Sequence, residues 1–132
     1  MTSFFESWEK WSPQMLSIVR IIAAACFIQH GLQKFFGFPA PGPATLSTLF
    51  IVQGFLEAVG GLLLLLGVYT RAVAFILAGD MAVAYFMVHF PKSFFPLVNG
   101  GDLAILFCFI FFYIVFVGGG AWSIDRKVLH QE

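Results

Sequence analysis

Four apolar stretches, residues 14–36, 47–67, 70–90 and 101–121, divide the chain, with short punctuated loops between them. Each is about 20 residues, the length an α-helix needs to cross a hydrocarbon core of ~30 Å. A transmembrane β-barrel would instead show ~10-residue strands of alternating apolar and polar positions. Runs such as Leu62 to Leu66 and Phe107 to Phe116 do not alternate. The pattern therefore predicts helices.

The breaks have physical causes. The segment 37–43 (GFPAPGP) carries Pro39, Pro41 and Pro43, which lack amide donors and clash with a preceding helical turn. Pro91 and Pro96 close the third stretch, and Asn99-Gly100-Gly101 supplies turn chemistry before the fourth. Gly67 to Thr70 is expected to form a tight hairpin with Thr70 as N-cap, and Gly118-Gly119-Gly120 to end the fourth helix. The predicted fold is all-α: a polytopic membrane protein, one domain over 1–132, built as a four-transmembrane-helix bundle. Phe4, Phe5, Trp8 and Trp11 are expected to form a short amphipathic segment on the membrane surface.

Composition strengthens the membrane assignment. Hydrophobic residues make up 60% of the 132 and charged residues 11%, against about 45–50% and about 25% in soluble domains. The mean hydropathy is +0.91. So small a soluble fold would need more polar surface than this chain has. Seven basic and seven acidic residues cancel, and no basic run points to nucleic acid. Cys26 and Cys108 form no Cys-x-x-Cys pair, which removes the usual signal for disulfide exchange or structural zinc. They fall at similar depths on the first and fourth helices, so a redox pair stays open beside the plainer reading of two small hydrophobes. The N-terminal region carries Glu6 and Glu9 and lacks a cationic start, so the first apolar stretch is expected to persist rather than be cleaved as a signal.

Orientation follows from flanking charge. One side carries Lys10, Arg20, Arg71, Arg126 and Lys127, and the other Lys34 and Lys92. The positive-inside rule puts the richer side, with both termini, in the cytoplasm of a bacterial inner membrane.

Polar residues within the apolar stretches carry the chemical information: Arg20, His30, Lys34, Gln53, Glu57, Asp80, His89 and Asp102, with Asn99 nearby. A charge at the bilayer centre costs roughly 2.5–3.5 kcal/mol even on lenient scales, so such groups turn inward, pair or neutralise. Glu57 and Asp80 fall near the midplane, and His30, Lys34, Gln53, His89, Asn99 and Asp102 toward the outer half. Helical spacing puts Gln53, Glu57, Gly60/Gly61 and Leu64 on one stripe, and Arg20, Phe27, Gly31 and Lys34 on another. Asp80 and His89, nine residues apart, are half a turn out of phase on an ideal helix. Plainer readings stand beside these: snorkelling for Arg20, Lys34 and Arg71, a helix N-terminal charge for Asp102, an interfacial histidine for His89, and close packing for Gly54, Gly60 and Gly61.

The run His30-Gly31-Leu32-Gln33-Lys34-Phe35-Phe36-Gly37 resembles the HGxxKxFG signature of the DoxX family. Glu57-Ala58-Val59-Gly60-Gly61 with Gly67 and Thr70-Arg71, and Gly79-Asp80 through Phe86 with His89 and Pro91, are similar to that family's second and third helices. Asn99-Gly100-Gly101-Asp102 and Trp122-Ser123-Ile124-Asp125 extend the likeness, although family members often carry glutamate where Asp80 and Asp102 stand. The resemblance implies a small four-helix inner-membrane protein with a redox-associated role. The family's links are to quinol oxidase, thiosulfate:quinone oxidoreductase, resistance to quinone-like compounds and thiol stress.

The expected function is binding of a quinone or similar lipophilic molecule in the outer half of the bundle. His30, Lys34, Gln53, Glu57, Asp80, His89, Asn99 and Asp102 are the candidate ligand-binding or proton-relay residues. No intrinsic cofactor or metal is expected, and flavin, haem and iron–sulfur signatures are missing; electrons would come from a redox partner subunit or a soluble enzyme. Expected partners are membrane lipid and either that subunit or further copies of the chain, not nucleic acid. The alternatives are a non-catalytic subunit or scaffold, and metal binding by His30, His89, Glu57 and Asp80 or small-solute transport.

Overall fold

The computed structural model describes residues 2–131, and among them every regular element is helical. A short α1 (Thr2–Glu9) precedes α2 (Ser12–Phe36), which starts with Pro13 in its first turn and ends at Gly37 in the left-handed conformation. After the proline-rich break comes α3 (Thr48–Leu66), capped by Ser47, whose Oγ accepts from the Phe50 amide at 3.3 Å. Beyond it lie α4 (Thr70–Lys92), a single-turn α5 (Pro96–Asn99), α6 (Asp102–Val117) and a terminal turn α7 (Ile124–Lys127).

α2, α3 and α4 are long and apolar enough to cross a membrane, while α6 is an apolar helix of 16 residues. At ~1.5 Å per residue α6 is about 24 Å long, less than the hydrocarbon core. The expected fourth stretch, 101–121, is thus shorter as a helix because Gly118 to Gly120 leave helical geometry before the apolar run ends. The third runs slightly longer than expected: Pro91 sits inside a closing 3₁₀ turn, Phe90–Lys92, where its missing amide leaves no bond unmade.

α2 packs on α3, and α4 makes its most extensive contact with α6. Small residues permit the first pairing. A Cβ at Gly31 would stand 2.7 Å from the Ala58 amide nitrogen and 2.8 Å from the Gly54 carbonyl oxygen, so only glycine lets these backbones meet. Gly61 likewise lies against Ile28, and Gly60 against Leu77 of α4. The core joins the two pairs through Ala23, Ala24 and Phe27 of α2, Leu64 of α3, Ala74, Leu77 and Ala78 of α4, and Phe107, Phe111 and Ile114 of α6. Phe27 meets Phe107 and Phe111 edge-on, with ring centroids 5.4 and 5.0 Å apart. Outward, Ile22, Phe36, Phe55, Phe75, Phe86, Phe109 and Phe116 are exposed, an apolar surface that suits lipid rather than water.

The two inner stripes match the sequence periodicity. α2 buries Ser17, Arg20, Ala23, Ala24, Phe27 and Gly31; α3 buries Gly54, Glu57, Gly61 and Leu64. Two irregularities depart from it: single π-helical turns at Leu56–Gly60 and at Tyr85–His89. Each absorbs one extra residue into the helix and rotates the residues beyond it about the axis.

Candidate functional site

Mid-bundle, α2, α3 and α4 bring three charged side chains together. Glu57 is the tenth of the 19 residues of α3 and Asp80 the eleventh of the 23 of α4, which sets both near the centre of their helices. Glu57 lies in the first π turn and is 2% exposed. Its Oε2 accepts from the Lys34 ammonium at 2.5 Å across the α2–α3 contact, and the Lys34 side chain is itself largely covered. Lys34 therefore does not snorkel. Its stem runs along Gly54, where a side chain would stand in the way.

Asp80 faces the same cluster from α4. It lies against Gln53 and within electrostatic reach of Glu57 and Lys34, yet its Oδ2 is buried with no hydrogen-bond partner. One ammonium thus serves two carboxylates. In a low-dielectric bundle two neighbouring carboxylates and one cation cannot all stay charged cheaply, so the cluster has a place for one more proton. His30, one turn before Lys34, presents its ring edge-on to Phe107 of α6 at 6.2 Å. From α6 the aromatic ring of Phe107, rather than a charge, reaches this region.

The remaining candidates form a separate group at the loop end of α4. Asn99 is 2% exposed: its Oδ1 accepts from the Gly101 amide at 2.7 Å, and its Nδ2 donates to the Ser93 carbonyl at 2.9 Å and to the Tyr85 hydroxyl at 3.2 Å. The Asn99 carbonyl meets His89 Nδ1 at 3.0 Å, and the His89 ring stacks on Tyr85. The π turn explains how His89 reaches this position. With one residue absorbed, its half-turn offset from Asp80 shrinks to about 80° at ~100° per residue. Asp102 is exposed in the first turn of α6, where a carboxylate is favoured by the helix dipole. Among the described residues no three His, Cys, Asp or Glu side chains gather as a metal-ligating set. Cys26 and Cys108 are free thiols, the first exposed on α2.

A second polar network occupies the opposite end, and it holds arginines whose sequence positions suggest snorkelling. Arg20 does not snorkel; it is 1% exposed. Its Nη1 donates to the Gly119 carbonyl, and its Nη2 to the carbonyls of Trp122 at 2.8 Å and Leu65 at 3.4 Å. Ser17 Oγ donates to Gly119 at 2.9 Å and accepts from the Trp122 amide at 2.9 Å. Gly120 permits this closure: at φ +82°, a Cβ there would lie 2.5 Å from both the Pro13 carbonyl and Ser17 Oγ. Arg71 Nη1 donates to the carbonyls of Val115 and Phe116, at 2.9 and 2.6 Å, and so caps the C-terminal end of α6.

Thr70 does not cap its own helix as its position predicts, for its Oγ1 has no partner. The cap comes from Asp125 instead, whose two oxygens accept from the amides of Tyr69 at 2.6 Å and Thr70 at 2.7 Å. A charged acceptor matches the N-terminal dipole better than a hydroxyl. The only hint of this in the sequence is the Trp122-Ser123-Ile124-Asp125 motif. A cavity of about 1110 Å³ lies at this same end, between α2 and α6 and away from Glu57.

These features define an integral membrane protein: an all-helical bundle with an apolar exterior and an ion pair in its interior. A family model, DoxX, matches residues 15–90, and the chain belongs to the DoxX family. It is 44% identical over 126 residues to an uncharacterized protein of Haemophilus influenzae, covering 90% of this chain and 94% of that one. It is 27% identical over 136 residues to an uncharacterized membrane protein of Mycobacterium tuberculosis, covering 88% and 82% respectively. No solved structure matches it.

Proposed function

We propose that this is a bacterial inner-membrane protein whose Lys34–Glu57–Asp80 cluster binds a quinone or similar lipophilic small molecule and exchanges protons with it. The carrying observation is the buried, unpartnered Oδ2 of Asp80 beside an already paired Glu57. Reduction of a quinone to a quinol takes up two electrons and two protons, and a spare acid near the midplane is suited to deliver a proton. The choice of a quinone rests on the family resemblance. Gly79, next to Asp80, has nothing within 4 Å of where a Cβ would stand, which leaves α4 open to lipid on that side. The electrons come from a redox partner subunit.

The orientation belongs to the same proposal. Arg20 and Lys34 are engaged inside the bundle, so they drop out of the flanking charge. Lys10, Arg71, Arg126 and Lys127 then oppose Lys92, which favours cytoplasmic termini.

The test is quinone titration of the wild type, Glu57→Gln and Asp80→Asn in nanodiscs. Both variants should bind at least tenfold more weakly while inserting normally. Wild-type affinity in both would refute the proposal. A second reading, a non-catalytic subunit, is favoured by one observation: the Lys34–Glu57 pair bolts together the same two helices that Gly31 brings into contact. Co-purification of a partner that carries its own redox centre, with no quinone held by this chain, would favour it.

A further inference from the structure

We infer that residues 93–101, the link from α4 to α6, form a re-entrant loop immersed in the bilayer, with Phe94, Phe95, Leu97 and Val98 against acyl chains rather than in water. The inference is independent of the mid-bundle proposal, because no residue of the Lys34–Glu57–Asp80 cluster takes part. It starts from a mismatch of lengths. α4 and α6 are flush at one end, where Arg71 of α4 bonds the carbonyls of Val115 and Phe116. From there α4 rises about 35 Å over its 23 residues and α6 about 24 Å over its 16. The far end of α6 accordingly stops beside Tyr85, where a Cβ on Gly101 would stand 2.6 Å from the tyrosine ring. Residues 86–92 of α4, about 10 Å of helix, stand above that level. A hydrocarbon core of ~30 Å spanned by α4 therefore reaches past the start of α6, and the link has to fill the step.

The link has the composition and the bonding for that position. Residues 93–101 carry no charged side chain. Their four large apolar residues are 65% to 85% exposed, at least as open as Phe86 on the outer side of α4. Their surface continues that side without a break: Phe86, Phe90, Phe94 and Phe95 follow in ring contact, with centroids 5.7, 6.3 and 5.5 Å apart. The cover of one is the cover of the other. Irregular backbone is tolerated at membrane depth only where protein satisfies it, and here the polar groups turn inward. Pro96 has no amide to satisfy; the amides of Val98 and Asn99 bond the Phe95 carbonyl, and those of Gly100 and Gly101 the Pro96 carbonyl. Buried Asn99 closes the loop by holding the Ser93 carbonyl and the Gly101 amide. A loop projecting into water would have its backbone satisfied by solvent and need no such clasp. The nearest charges mark the edges. Lys92 is exposed at the end of α4, with a stem long enough to reach head groups. Asp102 starts α6, where the helix dipole favours a carboxylate, and lies well away from the midplane, where a charge costs most.

The experiment uses the full chain in nanodiscs, with Cys26 and Cys108 replaced by alanine and one nitroxide-labelled cysteine introduced at a time. Leu97→Cys tests the loop, Val83→Cys on exposed α4 surface reports lipid, and Thr45→Cys in the exposed proline-rich loop reports water. Each label is read by its collision rates with oxygen and with anionic chromium oxalate. The ratio of oxygen to oxalate collisions at Leu97→Cys should match that at Val83→Cys and exceed that at Thr45→Cys about tenfold, because hydrocarbon excludes the charged complex. The Leu97 side chain makes little contact with the protein, so folding is preserved; unchanged helical circular dichroism verifies this. A ratio at Leu97→Cys equal to that at Thr45→Cys would overturn the inference by placing the loop in water. Low collision rates with both reagents would overturn it too, because a second copy or another protein would then cover the loop.

Discussion

Replacing Lys34 by methionine isolates the energetic core of the candidate site, because it removes the ammonium and keeps the apolar stem. At 2.5 Å the pair attracts by about 6.6 kcal/mol for an effective dielectric of 20, an upper bound before desolvation is subtracted. The loss on substitution has a lower ceiling. A carboxylate left alone in an apolar bundle takes up a proton, and doing so at pH 7 against the ordinary glutamate value of about 4.3 costs about 3.7 kcal/mol. Lys34→Met should therefore destabilise the protein by about 3 kcal/mol at pH 7, in line with other broken buried pairs.

The same ceiling drops to about 1 kcal/mol at pH 5, so the deficit should shrink as pH falls. The double variant Lys34→Met/Glu57→Gln should recover most of the loss, since it leaves no charge uncompensated. The assay is reversible unfolding in mixed detergent–SDS micelles, with each variant compared with wild type at the same pH. Additive losses in the double variant, or a deficit constant between pH 7 and 5, would show that the pair does not carry the interaction described.

Two further outcomes come from geometry. Gly31→Ala should cost roughly 1–3 kcal/mol in the same assay, because the added Cβ would sit 2.7 Å from a backbone nitrogen that cannot swing away; wild-type stability would mean α2 and α3 separate freely. Asp125→Ala should cost about 2 kcal/mol, the upper range for a lost cap, and should open the Gly67–Thr70 hairpin to hydrogen exchange at the Tyr69 and Thr70 amides. Unchanged protection at those two amides would show that Asp125 does not hold the hairpin.

Much of the helical frame is legible in the sequence because the α-helical period is rigid and lipid penalises polar groups strongly. Glu57 and Lys34 lie on separately predicted inner stripes, and the structure joins them directly. The two π turns are not legible. Nothing in Leu56–Gly60 or Tyr85–His89 differs in composition from ordinary α-helix, and the extra residue is set by which neighbours each turn must reach. The arginines mislead for a related reason. Snorkelling is the expected fate of a lone arginine near a helix end, but Arg20 has three backbone carbonyls folded over it by residues 65–122. Sequence position does not report those long-range partners, nor that Asp125 caps an amide 55 residues away.

Counting satisfied groups separates what holds the bundle from what can do chemistry in it. At the end where the α2–α6 groove opens, both terminal nitrogens of Arg20 and both oxygens of Asp125 are bonded to backbone. Moving a proton at Arg20 or Asp125 would mean breaking the clasp over α2 or the cap of α4, so these two groups serve the fold. Mid-bundle the arithmetic differs. Lys34 answers Glu57, and Asp80 keeps one buried oxygen without a partner. A group that the fold leaves unsatisfied can change its protonation state without undoing a helix contact, and a proton-exchanging site in a membrane needs that freedom. Asp80→Asn should accordingly leave unfolding almost unchanged while it impairs binding at the site. If Asp80→Asn instead lost as much stability as Lys34→Met, the acid would be part of the scaffold and the assignment of chemistry to it would fail.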